Sequence, residues 1–537
     1  MSNNKSSVFT ANLPKSKITK DNVTLFPEGA LGYLLGPTMA TLANSVLASY
    51  FNTYMSNVLN INKWAAWFFT WIPAISVAVV IFGNILVGRL MDRNCTSAGK
   101  ARPLILLSVP ISLISLLILF VLSPYVNETM QNKQLFALVL LAVGYLGWFG
   151  FAYPMYSTPH AALVSLSTRD SKGRNLLATI SNATALASMG VVNMILPFCL
   201  RHLFVYQMDA SQLPAGATAV LNAQGNVEYY IDANGSAIYD GLTSYNHWKI
   251  FAIALMAITA IGAVTEYLFT RERVSEETAA VKSEEKAAAI SFGQQMRVCL
   301  KDRFWYIMMG FFILYQLGGL MKNVSQLYFC QAMFADAAGN YTTAHGGTIQ
   351  GTLSIIGSVP TALGMVIAVP LANKIGKRNA IMGGAVLAVA GGVLGLLFPD
   401  NLTIVMASFV IKALGSTPAM YLSLALLADV YDHQEAANGF RTDGFTMTIY
   451  GAVMAGMTGV ATSIMNGVLS SLNYSATNIS SPEIRAAMPW LFIGVETICY
   501  VGIAVMFVFL TVEKYSDADH AKIAERLKQQ DCHKAPV

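Results

Sequence analysis

"GRLMDRNCTSAGKARP", residues 88–103, sits between two apolar stretches, each long enough to cross a lipid bilayer. It gathers Arg89, Asp92, Arg93, Lys100 and Arg102 in a chain that is 55% hydrophobic and only 12% charged. A soluble domain carries about 25% charged residues. Long apolar runs recur on both sides of this knot, so the chain reads as a multispanning membrane protein. The net charge of +5 does not indicate a nucleic-acid partner, because the basic residues cluster in short segments between apolar runs rather than along one face.

Outward from the knot, the pattern predicts twelve membrane helices. Six lie near 29–57, 65–91, 103–123, 134–165, 176–202 and 248–270. Six more lie near 304–335, 349–373, 379–398, 402–430, 446–472 and 488–512. Several exceed the roughly 20 residues a span needs, so they tilt, bend or protrude. An even number of spans puts both termini on one side. Of the 34 Lys and Arg residues, Lys63, Lys133, Arg201, Lys249 and Arg485 fall in outer loops when the termini are cytoplasmic, and Lys322 and Lys412 fall inside helices. All the rest are then cytoplasmic, as the positive-inside rule requires. The knot becomes a cytoplasmic turn shaped by Gly99 and Pro103. The first 28 residues lack the apolar core of a cleaved signal peptide, so the first span is expected to serve as an uncleaved signal. The expected location is the cytoplasmic membrane, multi-pass.

A charged, alanine-rich segment divides the helices six and six. The expected organisation is a tail (1–28), a six-helix bundle (29–270), a linker with some helix (271–303), a second bundle (304–512) and a C-terminal tail (513–537). The halves echo each other. "STPHAALVSL" begins at Ser157 in the fourth helix, and "STPAMYLSLALL" at Ser416 in the tenth. The knot has a shorter counterpart, "NKIGKRNA", between the eighth and ninth. The fold class is therefore all-α, with twelve transmembrane helices in two pseudo-symmetric six-helix bundles. Such a design houses a transporter whose substrate sits near the midplane. In the long outer loop 203–247, "NVEYYIDANGSAIYDG" alternates and carries turn signals, which predicts a small hairpin.

Charge again marks the candidate sites. Asp429 and Asp432 share a helix face. With Arg441 and Asp443 beyond a short turn they are expected either to be solvated loop charge or to pair with Arg89, Arg93 or Arg102, closing a cytoplasmic gate. Lys322 and Lys412 lie inside helices, where a lysine costs about 2.5–3.5 kcal/mol on insertion scales. Each either meets an anionic group on the substrate, snorkels to an interface, or stands in for a coupling cation. Glu496 is nearest to them in level, on a helix expected to be peripheral. Glu266 lies close to the cytoplasmic end of the sixth helix. Tyr315, Gln316, Asn323 and Gln326 follow the seventh helix, Tyr153, Tyr156 and Ser157 the fourth, and Tyr421 the tenth. They suit a sugar, which needs hydroxyl-matching groups and an aromatic face, although aromatics also serve packing and interface belts. His160 beside Pro159 is either a proton relay or a satisfied histidine. The six cysteines include no CxxC pair, so no metal site or disulfide framework is expected. No catalytic constellation lies at matching depth, so no enzyme and no cofactor is expected.

The motifs "GRLMDRNCTSAGKARPLIL", "LYQL" at Leu314 and "LLADVYDHQEAANGFRTDG" (residues 426–444) resemble the glycoside–pentoside–hexuronide cation symporter family of the major facilitator superfamily. The resemblance covers both halves. It implies a sugar or glycoside carrier, acidic glycosides such as uronides included, driven by sodium or protons. An uncoupled facilitator and a carrier of amphiphiles such as lysolipids remain alternatives. The family's cation-site carboxylates fall here at Val80, Gly83, Asn84 and Ser157. Its first-helix sugar-binding carboxylate falls near Thr41, and its eleventh-helix lysine near Ala455. The resemblance thus implies a first-half site without charge, where Asn84 and Ser157 could offer neutral oxygens to a cation.

Overall fold

The computed structural model describes residues 13–14, 16–19, 23–93, 98–126, 130–168, 171–214, 216–221, 224–233, 235–273, 292–440, 442–475 and 478–534. Twelve long helical segments run through it, within several residues of the expected bounds. They are α1 (25–58), α2 (Ala66–Arg93), α3 (Arg102–Leu122), α4 (131–167), α5 (Ser171–Leu203) and α6 (Gly241–Phe269). Then come α7 (Arg303–Met333), α8 (Thr343–Ile375), α9 (Lys377–Leu397), α10 (Leu402–Asn438), α11 (Asp443–Ser471) and α12 (482–509). Among the described residues, nine of the helices are long and apolar enough to cross a membrane by composition. Their outward faces are apolar: Phe82, Leu135, Phe136, Ile250, Ile253, Val386, Val501, Val505 and Phe509 are exposed. In water such a surface would be an aggregation hazard; in hydrocarbon it is the matched one.

The described residues fall into two compact units. One holds those up to 273 together with 335–351 and 458–484. The other holds 292–334, 352–457 and 485–534. In the first, α1 packs on α5 and α6, α3 on α4 and α6, and α2 on α4. In the second, α7 packs on α12, α9 on α10, and α9 on α12. The α1–α6, α3–α6 and α3–α4 contacts thus have equivalents in α7–α12, α9–α12 and α9–α10, as duplication implies. Hydrocarbon supplies no hydrophobic drive between helices, so small residues set the close approaches. A methyl at Gly83 on α2 would fall on the carbonyl of Gly150 on α4, and one at Gly384 on α9 would reach that of Gly415 on α10.

Helix α4 departs from regular geometry just before the stretch that carries its polar residues. A wider turn spans Trp148–Ala152, and Pro154 and Pro159 follow. In the outer loop between α5 and α6, β1 (Thr218–Leu221) pairs antiparallel with β2 (Val227–Ile231), Val220 facing Tyr229, with a register shift at Leu221. The expected hairpin is present. Tyr206 stacks on both Tyr229 and Tyr239, and the Tyr229 hydroxyl donates to Asp336 at 2.6 Å within the same unit. The segment after α12 holds a helix, Ser516–Lys534. It is fastened to the end of α10 by His433–Asp519 at 2.7 Å and His520–Asp432 at 3.1 Å.

Candidate functional site

In the second unit, three charged side chains meet inside the helices. Lys412 on α10 pairs with one oxygen of Glu496 on α12, and both side chains are 5% exposed. Lys322 on α7 stands 3.8 Å from the other oxygen and is 29% exposed. Its ammonium also lies 5.6 Å above the ring of Phe409. Gly318, one turn before Lys322, lets the backbone of α12 at Glu496 approach α7. A contact of 3.8 Å is too long for a hydrogen bond, so Lys322 is only loosely held while Lys412 neutralises the carboxylate. The cluster carries two ammonium groups and one carboxylate, and the loosely held charge is the accessible one. Tyr315 stacks on Phe311 at 5.6 Å, Asn323 is half-buried, and Gln326 is buried with its amide 3.4 Å from Ser354.

The sequence places Glu496 nearest to the two lysines in depth, on a helix expected to be peripheral. In this unit α12 packs against both α7 and α9. From Trp490 to Phe509 Glu496 is the sole charge, and a carboxylate in an apolar run is itself a signal that a partner exists.

The first unit holds a second buried polar cluster. Glu266 on α6 is fully buried; one carboxylate oxygen accepts from the Tyr156 hydroxyl and the other faces His160 Nδ1 at 2.7 Å. The other imidazole nitrogen lies 3.2 Å from Ser181 Oγ on α5. His160 is thus placed with partners on both nitrogens. Glu266, read from sequence as near the helix end, was not expected here.

The family-implied cation positions carry no charge. Asn84 donates to the Val80 carbonyl at 2.8 Å and accepts from Thr158 at 3.0 Å, which joins α2 to α4 by a neutral bond. Thr41 donates back to the Pro37 carbonyl at 2.8 Å within α1, and Ser157 is half-buried on α4.

The backbone of the knot and its Arg102 side chain have partners inside their own unit. Glu272, just past α6, accepts from the backbone N–H groups of Lys100, Ala101 and Arg102 at 2.8–2.9 Å, capping the start of α3. Arg102, 2% exposed, forks onto the Tyr267 carbonyl at 2.7 and 3.2 Å and reaches the Ala98 carbonyl at 3.1 Å. The counterpart in the second unit repeats this. Glu513 accepts from Lys377 N at 2.7 Å and Arg378 N at 3.0 Å, and Arg378 binds the Phe507 and Val508 carbonyls at 2.6 and 2.7 Å. Each carboxylate approaches over a glycine at positive φ, Gly99 (+111°) or Gly376 (+87°). Asp429 pairs with Lys377 at 2.5 Å, and Arg89 is exposed. Arg441 and the side chains of Asp92, Arg93 and Asp443 lie outside the described residues.

Residues 32–514 match the family described as MFS/sugar transport protein. The chain belongs to this family. Membership covers nine-tenths of the sequence and agrees with the glycoside–pentoside–hexuronide motifs, so the protein is a membrane transporter and not an enzyme. Among relatives in this family, a glucuronide carrier protein homolog of Escherichia coli (strain K12) is 21% identical over 91% of this chain and 93% of its own length. An isoprimeverose transporter of Lactiplantibacillus pentosus is 24% identical over 54% of this chain and 58% of its own. The crystal structure of the nucleoside transporter NupG superposes with a TM-score of 0.53 at 13% identity, over 90% of this chain and 99% of that one. That likeness is one of fold, and with the family match it gives the twelve-helix architecture of major facilitator type.

Proposed function

We propose that this sugar-family transporter carries an acidic glycoside, of the glucuronide kind, across the cytoplasmic membrane by alternating access, with both termini in the cytoplasm and a cation as driving partner. The observation that carries the reading is the loosely held Lys322 ammonium beside the neutralised Lys412–Glu496 pair. A substrate carboxylate 3 Å from that ammonium would gain a charge-assisted hydrogen bond where little water competes. Lys412 then serves by holding Glu496 away from the substrate's anion. Tyr315, Asn323 and Gln326 on the same helix supply aromatic and hydroxyl-matching groups for the sugar. The family and the glucuronide-carrier relative support the substrate class. The positive-inside pattern supports the orientation.

The test is uptake into proteoliposomes of a glucuronide and of the matching neutral glucoside. Lys322→Gln is expected to raise KM for the glucuronide at least about tenfold, the worth of one charge-assisted bond, and to leave neutral uptake within about twofold. Equal loss for both, or for neither, would remove Lys322 from anion recognition.

A further inference from the structure

We propose that His160 and Glu266, with Tyr156 and Ser181, form a proton-binding site, and that a proton rather than sodium drives this carrier. The inference rests on the transport reading above and adds the ion and its seat.

The geometry is that of a site able to hold or release one proton without stranding a polar atom. Three helices contribute: Tyr156 and His160 from α4, Ser181 from α5 and Glu266 from α6. Both carboxylate oxygens are engaged and both imidazole nitrogens have a partner. With the proton bound, the imidazolium donates from Nδ1 to Glu266 and from Nε2 to Ser181 Oγ, and the charged pair is neutral overall. With the proton gone, Nδ1–H still donates to Glu266, and the Ser181 hydroxyl turns about to donate to Nε2. The cluster then carries one negative charge at a fully buried carboxylate. One proton therefore switches the charge of a desolvated contact between α4 and α6, which weighs far more there than at a surface.

The charged groups nearby have partners of their own. Among the described residues, His160 is the ion-pair partner of Glu266. Arg273 is taken by Glu28 at 2.8 Å, Arg102 by backbone carbonyls, and Glu272 by the start of α3. Arg271 donates to the Ile18 carbonyl, and Lys17 lies over the Phe269 ring. Tyr33 on α1 donates to the Leu163 carbonyl, and Tyr153 is the remaining phenol on this stretch of α4. Sodium, by contrast, needs several oxygens, preferably anionic, and Asn84 is already bonded to Val80 and Thr158. The link to substrate is α4 itself. Ser157 lies between Tyr156 and His160, in the continuous helical stretch Tyr153–Ser167 that contains Pro154 and Pro159. A movement of α4 around a bound sugar would change the reach of His160 to Glu266.

Two measurements on the purified full-length protein test this. Infrared difference spectra between about pH 5 and pH 9, the range in which a histidine titrates, are expected to show an imidazole signal that vanishes in His160→Gln and moves in Glu266→Gln. In proteoliposomes, an inside-alkaline pH gradient is expected to drive accumulation of a glucuronide by the wild type. Glu266→Gln is expected to reduce accumulation to the equilibrium level while still exchanging glucuronide in counterflow, which also shows that the variant is folded. A wild type that accumulates substrate on a sodium gradient but not on a pH gradient, or a Glu266→Gln carrier that still concentrates it, would overturn the proposal. If the imidazole titrates as described but no glucuronide exchanges, the proton site stands and the substrate reading fails.

Discussion

Lys412 and Glu496 form an ion pair between α10 and α12 from which solvent is nearly excluded, and Lys322 touches the same carboxylate from α7. Glu496 is the one negative charge between two positive ones. Removing it leaves two ammonium groups facing each other in a low-dielectric setting, so Glu496→Gln is expected to cost about 3–5 kcal/mol of stability. The double variant Lys412→Met/Glu496→Gln removes a whole pair and is expected to recover most of that loss. Thermal unfolding of the detergent-purified protein reads both. A single variant that melts with the wild type would show that the pair contributes nothing to the fold.

The same cluster shows how far the chain can be read without coordinates. The spans were legible because hydrocarbon demands long apolar runs, and Lys322 and Lys412 stood out because charge within such a run is costly. Their partner is visible as a lone carboxylate, but its nearness is not, because helix-to-helix distance depends on small residues such as Gly318 meeting the neighbouring backbone. A pattern of apolar and polar residues does not record that. The role of Glu266 is illegible for a related reason: its partners Tyr156 and His160 lie on a different helix. The knot at 88–103 announced its charge, but not that Arg102 would spend it on backbone carbonyls, acceptors that every residue carries and no sequence marks.

The two carboxylate caps give a paired prediction. Glu272 caps three amides at the start of α3, whereas Glu513 caps two at the start of α9. Replacing a capping side chain by alanine costs about 1–2 kcal/mol. Amide hydrogen exchange at residues 100–102 in Glu272→Ala, and at 377–378 in Glu513→Ala, is expected to speed up by about tenfold or more, with the larger effect at α3. Exchange unchanged in either variant would mean that other groups satisfy those amides.

Gly99 and Gly376 should not tolerate alanine equally. Both hold positive φ, which costs an L-residue roughly 1–2 kcal/mol. A methyl on Gly376 would also sit 3.1 Å from a Glu513 oxygen, which a small shift relieves. A methyl on Gly99 would overlap the Glu272 carboxylate, which is anchored by three amides. Gly99→Ala is therefore expected to lower the melting temperature clearly more than Gly376→Ala. Equal shifts would indicate that Glu272 moves aside freely.

Arg102 and Arg378 occupy equivalent places, yet their surroundings predict different responses to lysine. Arg102 is almost wholly buried, makes three bonds to carbonyl oxygens and lies 4.6 Å over the Tyr267 ring. Arg378 is half-buried, and water can reach what a substitution vacates. Lysine offers a point charge on a flexible stem and cannot reproduce the guanidinium fork. At Arg102 the change leaves buried carbonyls short of a donor, a loss of about 1–3 kcal/mol. At Arg378 solvent compensates, and the expected loss is under about 1 kcal/mol. Thermal unfolding of Arg102→Lys and Arg378→Lys in the same detergent checks the order. Should Arg378→Lys prove the more damaging, the second clamp rather than the first would be the one that fastens its bundle.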